Sequence, residues 1–156
     1  MDLVIDHAAR THLAEQLRHL VAGRITNDEF EDAREWSEDP AVGEVQHAAW
    51  FLYDDLREYR LAGRHRLGPA ARREVARWIL FLKSDGRYLW PPLTAWSCLF
   101  WATANVLTLG IASRVYLRRM RALGDHDAWP FFSSADLEAA RRTTPYLCGP
   151  SNEAFT

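Results

Sequence analysis

Lysine is almost missing from this chain: Lys83 stands alone, and the other 18 of the 19 basic residues are arginine. That bias is more easily explained by a GC-rich genome than by function, and it leaves nearly every basic position with a planar head group able to form two parallel hydrogen bonds. Cysteine is nearly as scarce. Cys98 and Cys148 lie 50 positions apart and neither belongs to a Cys-x-x-Cys pair, which excludes a disulfide framework and a cysteine zinc site. Reduced thiols in a cytoplasmic setting are expected. The first residues carry the acids Asp2 and Asp6 where a secretory signal would be basic. There is no glycine-rich phosphate loop, no Gly-x-Ser-x-Gly and no His-Glu-x-x-His, so no enzymatic chemistry is indicated and no cofactor is expected.

Charge itself is absent over residues 88–113, a run of 26 positions in a chain that is 26% charged overall. Such a run must be buried, in protein or in a bilayer. As a helix, residues 93–113 would reach about 31 Å, close to the ~30 Å hydrocarbon thickness. Seven strongly apolar side chains there (Leu93, Leu99, Phe100, Val106, Leu107, Leu109, Ile111) favour insertion by about 2–4 kcal/mol. Asn105 near the middle, with Thr94, Ser97, Thr103 and Thr108, works against it. Both flanks are basic, with Arg72, Arg73, Arg77, Lys83 and Arg87 before and Arg114, Arg118, Arg119 and Arg121 after. Equal flanks give the positive-inside rule nothing to choose. The expectation is therefore a central buried helix over 93–113. A protein held on an anionic membrane surface by residues 88–117 is the alternative.

At 156 residues the chain fits one domain able to bury its own core. The formal charge of −2 conceals a segregation: residues 1–60 sum to −8, 61–121 to +9 and 122–156 to −3. Either the acidic helices neutralise the basic middle within the chain, or the two faces meet partners. Seven tryptophans suit a core, a membrane-surface belt or an interface hot spot.

The hydrophobic period predicts a first helix over 2–22, with Ala9, Leu13, Leu17 and Leu20 on one face. Gly23 ends it as a C′ residue. Thr26 with Glu29 three positions on forms a capping box, opening a second helix over 27–37. Asp39-Pro40 starts a third, over 40–61, with Val45, Ala49, Leu52, Leu56 and Tyr59 on one stripe. Trp50, Phe51 and Tyr53 widen that stripe and predict a central helix touching more than one neighbour. Pro69 opens a fourth helix over 69–84, whose second half, Trp78-Ile79-Leu80-Phe81-Leu82, is apolar all round and must be enclosed. Short extended segments are predicted near 88–92, ahead of Pro91-Pro92, and at 129–132. Ser134 caps a last short helix to about 142, and a loop tail follows.

The stretch Leu17-Arg18-His19-Leu20-Val21-Ala22-Gly23-Arg24-Ile25-Thr26-Asn27-Asp28-Glu29-Phe30-Glu31 resembles the helix, Gly-x-Ile-Thr turn and Glu-Phe helix of bacterial short helical-hairpin modules of the SHOCT (short C-terminal domain) type. The resemblance covers these residues alone and places them near the N-terminus, unlike the family. It implies that Ile25 and Phe30 pack between two helices, and that the hairpin serves interaction or oligomerisation in a bacterial protein, without enzymatic activity.

Arg64, Arg66, Arg72, Arg73 and Arg77, with His65, form the best binding candidate, because a connector and the first turns of a helix present several guanidiniums together. Nucleic-acid phosphate, anionic lipid or an acidic protein would suit them. Glu44-x-x-His47 has the spacing of one half of a di-iron site, with His12, Glu15 and His19 along one side of the first helix. The other half is missing, so no metal is expected. Asp54-Asp55 and Asp125-His126-Asp127 are acidic surface pairs with no nucleophile nearby.

These readings converge on a single all-α domain, a bundle of five or six helices around the 93–113 helix. Its parts are a hairpin (1–38), a main core (40–123), and a clip, short helix and tail (124–156). The expected role is non-enzymatic protein interaction of adaptor, immunity or regulatory type, with a protein partner or a homo-oligomer. Alternatives are a membrane-associated accessory protein and a His/Glu metal-dependent enzyme. An anionic membrane surface is a second partner class, and nucleic acid a third.

Overall fold

The computed structural model describes residues 4–91 and 123–143. Among these the chain forms five α-helices: α1 His7–Val21, α2 Asn27–Asp32, α3 Pro40–Ala49, α4 Pro69–Leu82 and α5 Ser134–Thr143. No strand is present among the described residues, where the one β-type pairing is an isolated bridge between Thr26 and Arg60. The all-α class stands on these helices. The predicted 93–113 helix and the predicted tail from 144 onward lie outside the described residues.

Local capping chemistry sets most helix ends. The Asp6 carboxylate accepts from the Ala9 N–H at 3.0 Å, so α1 begins at His7 rather than at residue 2. Gly23 ends it with φ +66°, and a Cβ there would lie 3.0 Å from the Ala62 Cβ. Glycine is required on both counts. At α2 the Thr26 hydroxyl accepts from the Glu29 N–H while the Glu29 carboxylate accepts from the Thr26 N–H, the expected capping box. This helix stops at Asp32, short of the predicted residue 37. Glu31 and Asp32 place negative charge at its carbonyl end, where the helix dipole opposes it.

The third helix departs furthest from expectation. Asp39 caps it and Pro40 occupies its first turn, but it ends at Ala49 in a 3-10 turn, Trp50–Leu52, and the chain leaves as a loop. Asn27, buried at the start of α2, captures that loop. Its Nδ2 donates to the carbonyls of Asp54 and Arg57, its Oδ1 accepts from the Tyr59 N–H at 2.7 Å, and its own N–H donates to the Tyr59 carbonyl. A helix through residue 61 would forfeit all four bonds. The predicted stripe therefore breaks after Ala49, and Trp50, Phe51 and Leu56 face solvent instead of neighbouring helices.

Two cores meet along α4. Ala9, Leu13, Leu17 and Leu20 of α1 pack with Val42 and Val45 of α3 and with Val75, Trp78 and Ile79 of α4, and Phe30 closes this first cluster. Leu80 and Phe81 turn the other way, onto Tyr88, Trp90, Phe131 and Leu137. The all-round apolar half of α4 is thus enclosed by serving both. The 129–132 segment is a turn, not the extended clip predicted. Phe131 N–H donates to the Ala128 carbonyl and Asp125 N–H to the Phe132 carbonyl, both at 3.0 Å, folding it back on the His126–Ala128 3-10 turn; the Trp129-Pro130 peptide is cis. Ser133, rather than Ser134, caps α5, accepting from the Asp136 N–H at 3.2 Å.

The side chain of Arg10 is wholly buried and joins three segments. Its Nε and Nη2 donate to the two carboxylate oxygens of Asp39 at 2.5 and 3.2 Å, and Nη1 donates to the carbonyls of Ser84 and Gly86. The guanidinium also lies 5.2 Å from the centre of the Phe81 ring. Asp39 in turn accepts from the backbone N–H groups of Asp6 and Ala41. A buried ion pair is tolerated when its remaining hydrogen-bonding capacity is filled in this way.

Candidate interaction surfaces

The end of α3 carries an aromatic ledge. His47, Trp50 and Phe51 are all exposed and lean on one another, with ring centres 5.7 Å apart for His47–Phe51 and 6.1 Å for Trp50–Phe51. Phe51 is 76% exposed and Trp50 46%; Leu56, on the loop that follows, is 84% exposed. Leaving large apolar groups in water at neighbouring sites is costly, which makes the cluster a candidate contact surface.

The ledge borders an acidic surface. Asp54, Asp55 and Glu58 sit on the loop that Asn27 holds against α2, and α2 itself contributes Asp28, Glu31 and Asp32. The crowding shows in the titration of Asp28, held above the usual carboxylate range by partial desolvation and then by the charges of Glu58, Glu31 and Asp32. The Tyr53 phenol, beneath this surface, is pushed up by burial and by its hydrogen bond with Glu31.

A basic groove lies between α1 and α4. Its volume is about 540 Å³, and it is lined by the apolar Val21, Ala22, Ala76 and Ile79 alongside Arg72, Arg73 and Arg18. Of the five arginines singled out in the sequence, Arg72 and Arg73 meet here. Arg64 and Arg66 are exposed on the connector, where Arg64 Nε donates to His65 Nε2 at 3.0 Å and the His65 ring rests 4.6 Å from that of Tyr59. Arg77 does not belong with them. Its Nε donates to the Trp129 carbonyl at 2.6 Å, tying α4 to the 129–132 turn.

The internal neutralisation that the segregated charges allowed is not seen among the described residues. Their ion pairs include Arg10–Asp39, Arg141–Glu138, His7–Asp85 and His12–Glu35. None uses Arg64, Arg66, Arg72 or Arg73, and none uses an acid of the ledge.

The His/Glu candidates for a metal are dispersed. His12 Nε2 lies 3.1 Å from the Ala33 carbonyl and its Nδ1 3.9 Å from Glu35. His47 is engaged with the ledge aromatics, and Glu15 and His19 are exposed on α1, whereas Glu44 is half-buried on α3. Among the described residues no group of three or more His, Cys, Asp or Glu side chains is placed to hold a metal ion. Asp125 serves structure: its carboxylate accepts from the Ser134 hydroxyl and the Asp127 N–H, and these bonds hold it below the ordinary carboxylate value.

Sequence reasoning singled out five arginines, of which two line one groove, and did not single out the ledge. Trp50 and Phe51 read as a widening of the helical stripe, and the residue that ends the stripe before them, Asn27, lies 23 positions upstream of Trp50. Among the described residues no helix is long and apolar enough to cross a membrane; the uncharged run from 92 to 113 lies outside them. No protein-family model, no curated protein and no solved structure matches the chain.

Proposed function

We propose that this chain is a non-enzymatic protein-interaction module, of adaptor, immunity or regulatory type, whose contact surface is the His47–Trp50–Phe51 ledge with Leu56. The observation that carries the reading is the exposure of Phe51 and Leu56 beside a half-exposed tryptophan. Tryptophan at the centre of a small apolar cluster ringed by charge is the composition of a protein hot spot. The resemblance of residues 17–31 to SHOCT-type interaction hairpins points the same way.

The test is a photo-crosslinking phenylalanine analogue placed at position 51 and illuminated in cells of the source organism, with the same group at exposed Glu15 as control. A covalent adduct to a protein, formed at 51 and not at 15, is the expected result. Equal or absent protein adducts at the two positions overturn the reading.

A further inference from the structure

We infer that the partner of the ledge is a second copy of this chain, the ledge of one copy seating in the arginine-lined groove between α1 and α4 of the next. The inference rests on the ledge being a protein-contact surface, and it names the occupant.

Three observations carry it. The first is charge. The ledge is bordered by Asp54, Asp55 and Glu58 with Asp28 and Asp32 nearby, whereas residues 61–83 hold six basic side chains against the single acid Glu74. Neither set is neutralised by ion pairs among the described residues. Like charges held together raise the free energy of the isolated copy; Asp28 is shifted upward first by desolvation and then by the charges of Glu58, Glu31 and Asp32, and association of opposite faces relieves such repulsion.

The second is shape and polarity. Phe51 and Leu56 project into solvent from a turn and a loop. The groove is lined by the apolar Val21, Ala22 and Ala76 alongside Arg72 and Arg73. An apolar projection flanked by carboxylates fits an apolar trough flanked by guanidiniums, with Arg–carboxylate pairs at the rim and burial at the centre. A nucleic acid or anionic lipid would satisfy the groove's charge but would leave the ledge unaccounted for.

The third is placement. The ledge and the groove share no residue, so one copy can present both at once. Contacts between two different patches are heterologous, and they generate rings or chains rather than a closed symmetric pair.

The test is light scattering after size-exclusion chromatography, on the full chain and on two surface variants, Phe51→Ala/Leu56→Ala and Arg72→Glu/Arg73→Glu, each checked for helix content by circular dichroism. The expected mass of the native chain exceeds the 18.0 kDa of one copy, rises with concentration and falls as salt is added. Each variant alone runs as a single copy, its self-association weakened about tenfold or more. Mixed, the two variants form a species of two chains and nothing larger, because one brings an intact groove and the other an intact ledge. A native chain that stays at one copy across concentration, or a mixture that fails to pair, overturns the second-copy assignment. If the crosslink at position 51 then joins a different protein, the module reading stands and only its partner changes; if it joins no protein, both fall.

Discussion

The Arg10 guanidinium grips the Asp39 carboxylate through two hydrogen bonds, at 2.5 and 3.2 Å, across 29 residues and with neither side chain reaching water. Asp39 caps α3, Arg10 lies in the first turns of α1, and the same guanidinium holds the carbonyls after α4. One side chain thus ties α1 to the start of α3 and to the end of α4. Removing it leaves a carboxylate buried without its counter-charge. Arg10→Met is expected to cost about 3–5 kcal/mol, measured by urea unfolding. The double variant Arg10→Met/Asp39→Asn should recover much of that loss, because the amide oxygen still caps α3 and no charge remains buried. A double variant no better than the single one would show that the carbonyl contacts, not the ion pair, dominate.

Asn27 governs where α3 stops. Its side chain makes three of the bonds that hold the 53–60 loop to α2. Asn27→Ala leaves two carbonyls and one N–H without partners and is expected to cost about 1–3 kcal/mol. Amide exchange at residues 54–60 should quicken by more than in the helices, since these bonds tie the backbone of the loop to α2. Uniform quickening would instead mean that the loop and the α1–α3 core open together.

Asp6 and Asp28 respond to acid in opposite directions. Asp6 is held below its ordinary value of 3.8 by the Ala9 N–H and then by the Ser37 hydroxyl. A carboxylate with a depressed folded value contributes stability above 3.8, and that contribution is lost as pH falls through the folded value. Asp28 is raised above 3.8, so its ionised form opposes folding once pH exceeds 3.8, fully so above the folded value. Asp6→Asn should therefore unfold earlier than the native chain at pH 7, with the gap closing below about pH 4. Asp28→Asn should unfold later at pH 7, a gain that closes over the same descent and shrinks with added salt. Thermal melts at several pH values decide both, and a pH-independent offset for either variant would place its effect outside ionisation.

Much of this architecture is legible in the sequence, for reasons that are local. Thr26 with Glu29, Asp39 with Pro40, and Gly23 each solve a problem within one turn of helix, so spacing alone reveals them. The face of α1 is equally plain, because Ala9, Leu13, Leu17 and Leu20 meet the core at regular intervals. The end of α3 is not, since it depends on Asn27 reaching a loop about 30 residues later. Nor is the burial of Arg10, which reads as one more surface charge until Asp39 and the turn at 84–86 are brought to it. The ledge escaped for the same reason: a stripe of apolar residues gives a period, but it does not say which of them a neighbour covers.

Arg77 tests how the basic residues divide between structure and surface. It shares a helix with Arg72 and Arg73, yet its Nε–H is spent on the Trp129 carbonyl at 2.6 Å, beneath the edge-on pair of Trp78 and Trp129. A hydrogen bond from a charged donor to a partly buried carbonyl contributes about 1.5–3 kcal/mol, so Arg77→Ala should lower the urea midpoint by that measure. Arg77→Lys should restore little, because an ammonium does not reproduce the direction of the guanidinium N–H. Arg72→Ala and Arg73→Ala, at exposed sites, should stay within about 0.5 kcal/mol of the native chain. They should instead reduce the salt-sensitive part of the self-association inferred above, which Arg77→Lys should leave unchanged. If Arg77→Ala proves neutral for stability while weakening association, Arg77 belongs to the groove and the 129–132 turn is held by its own aromatic packing.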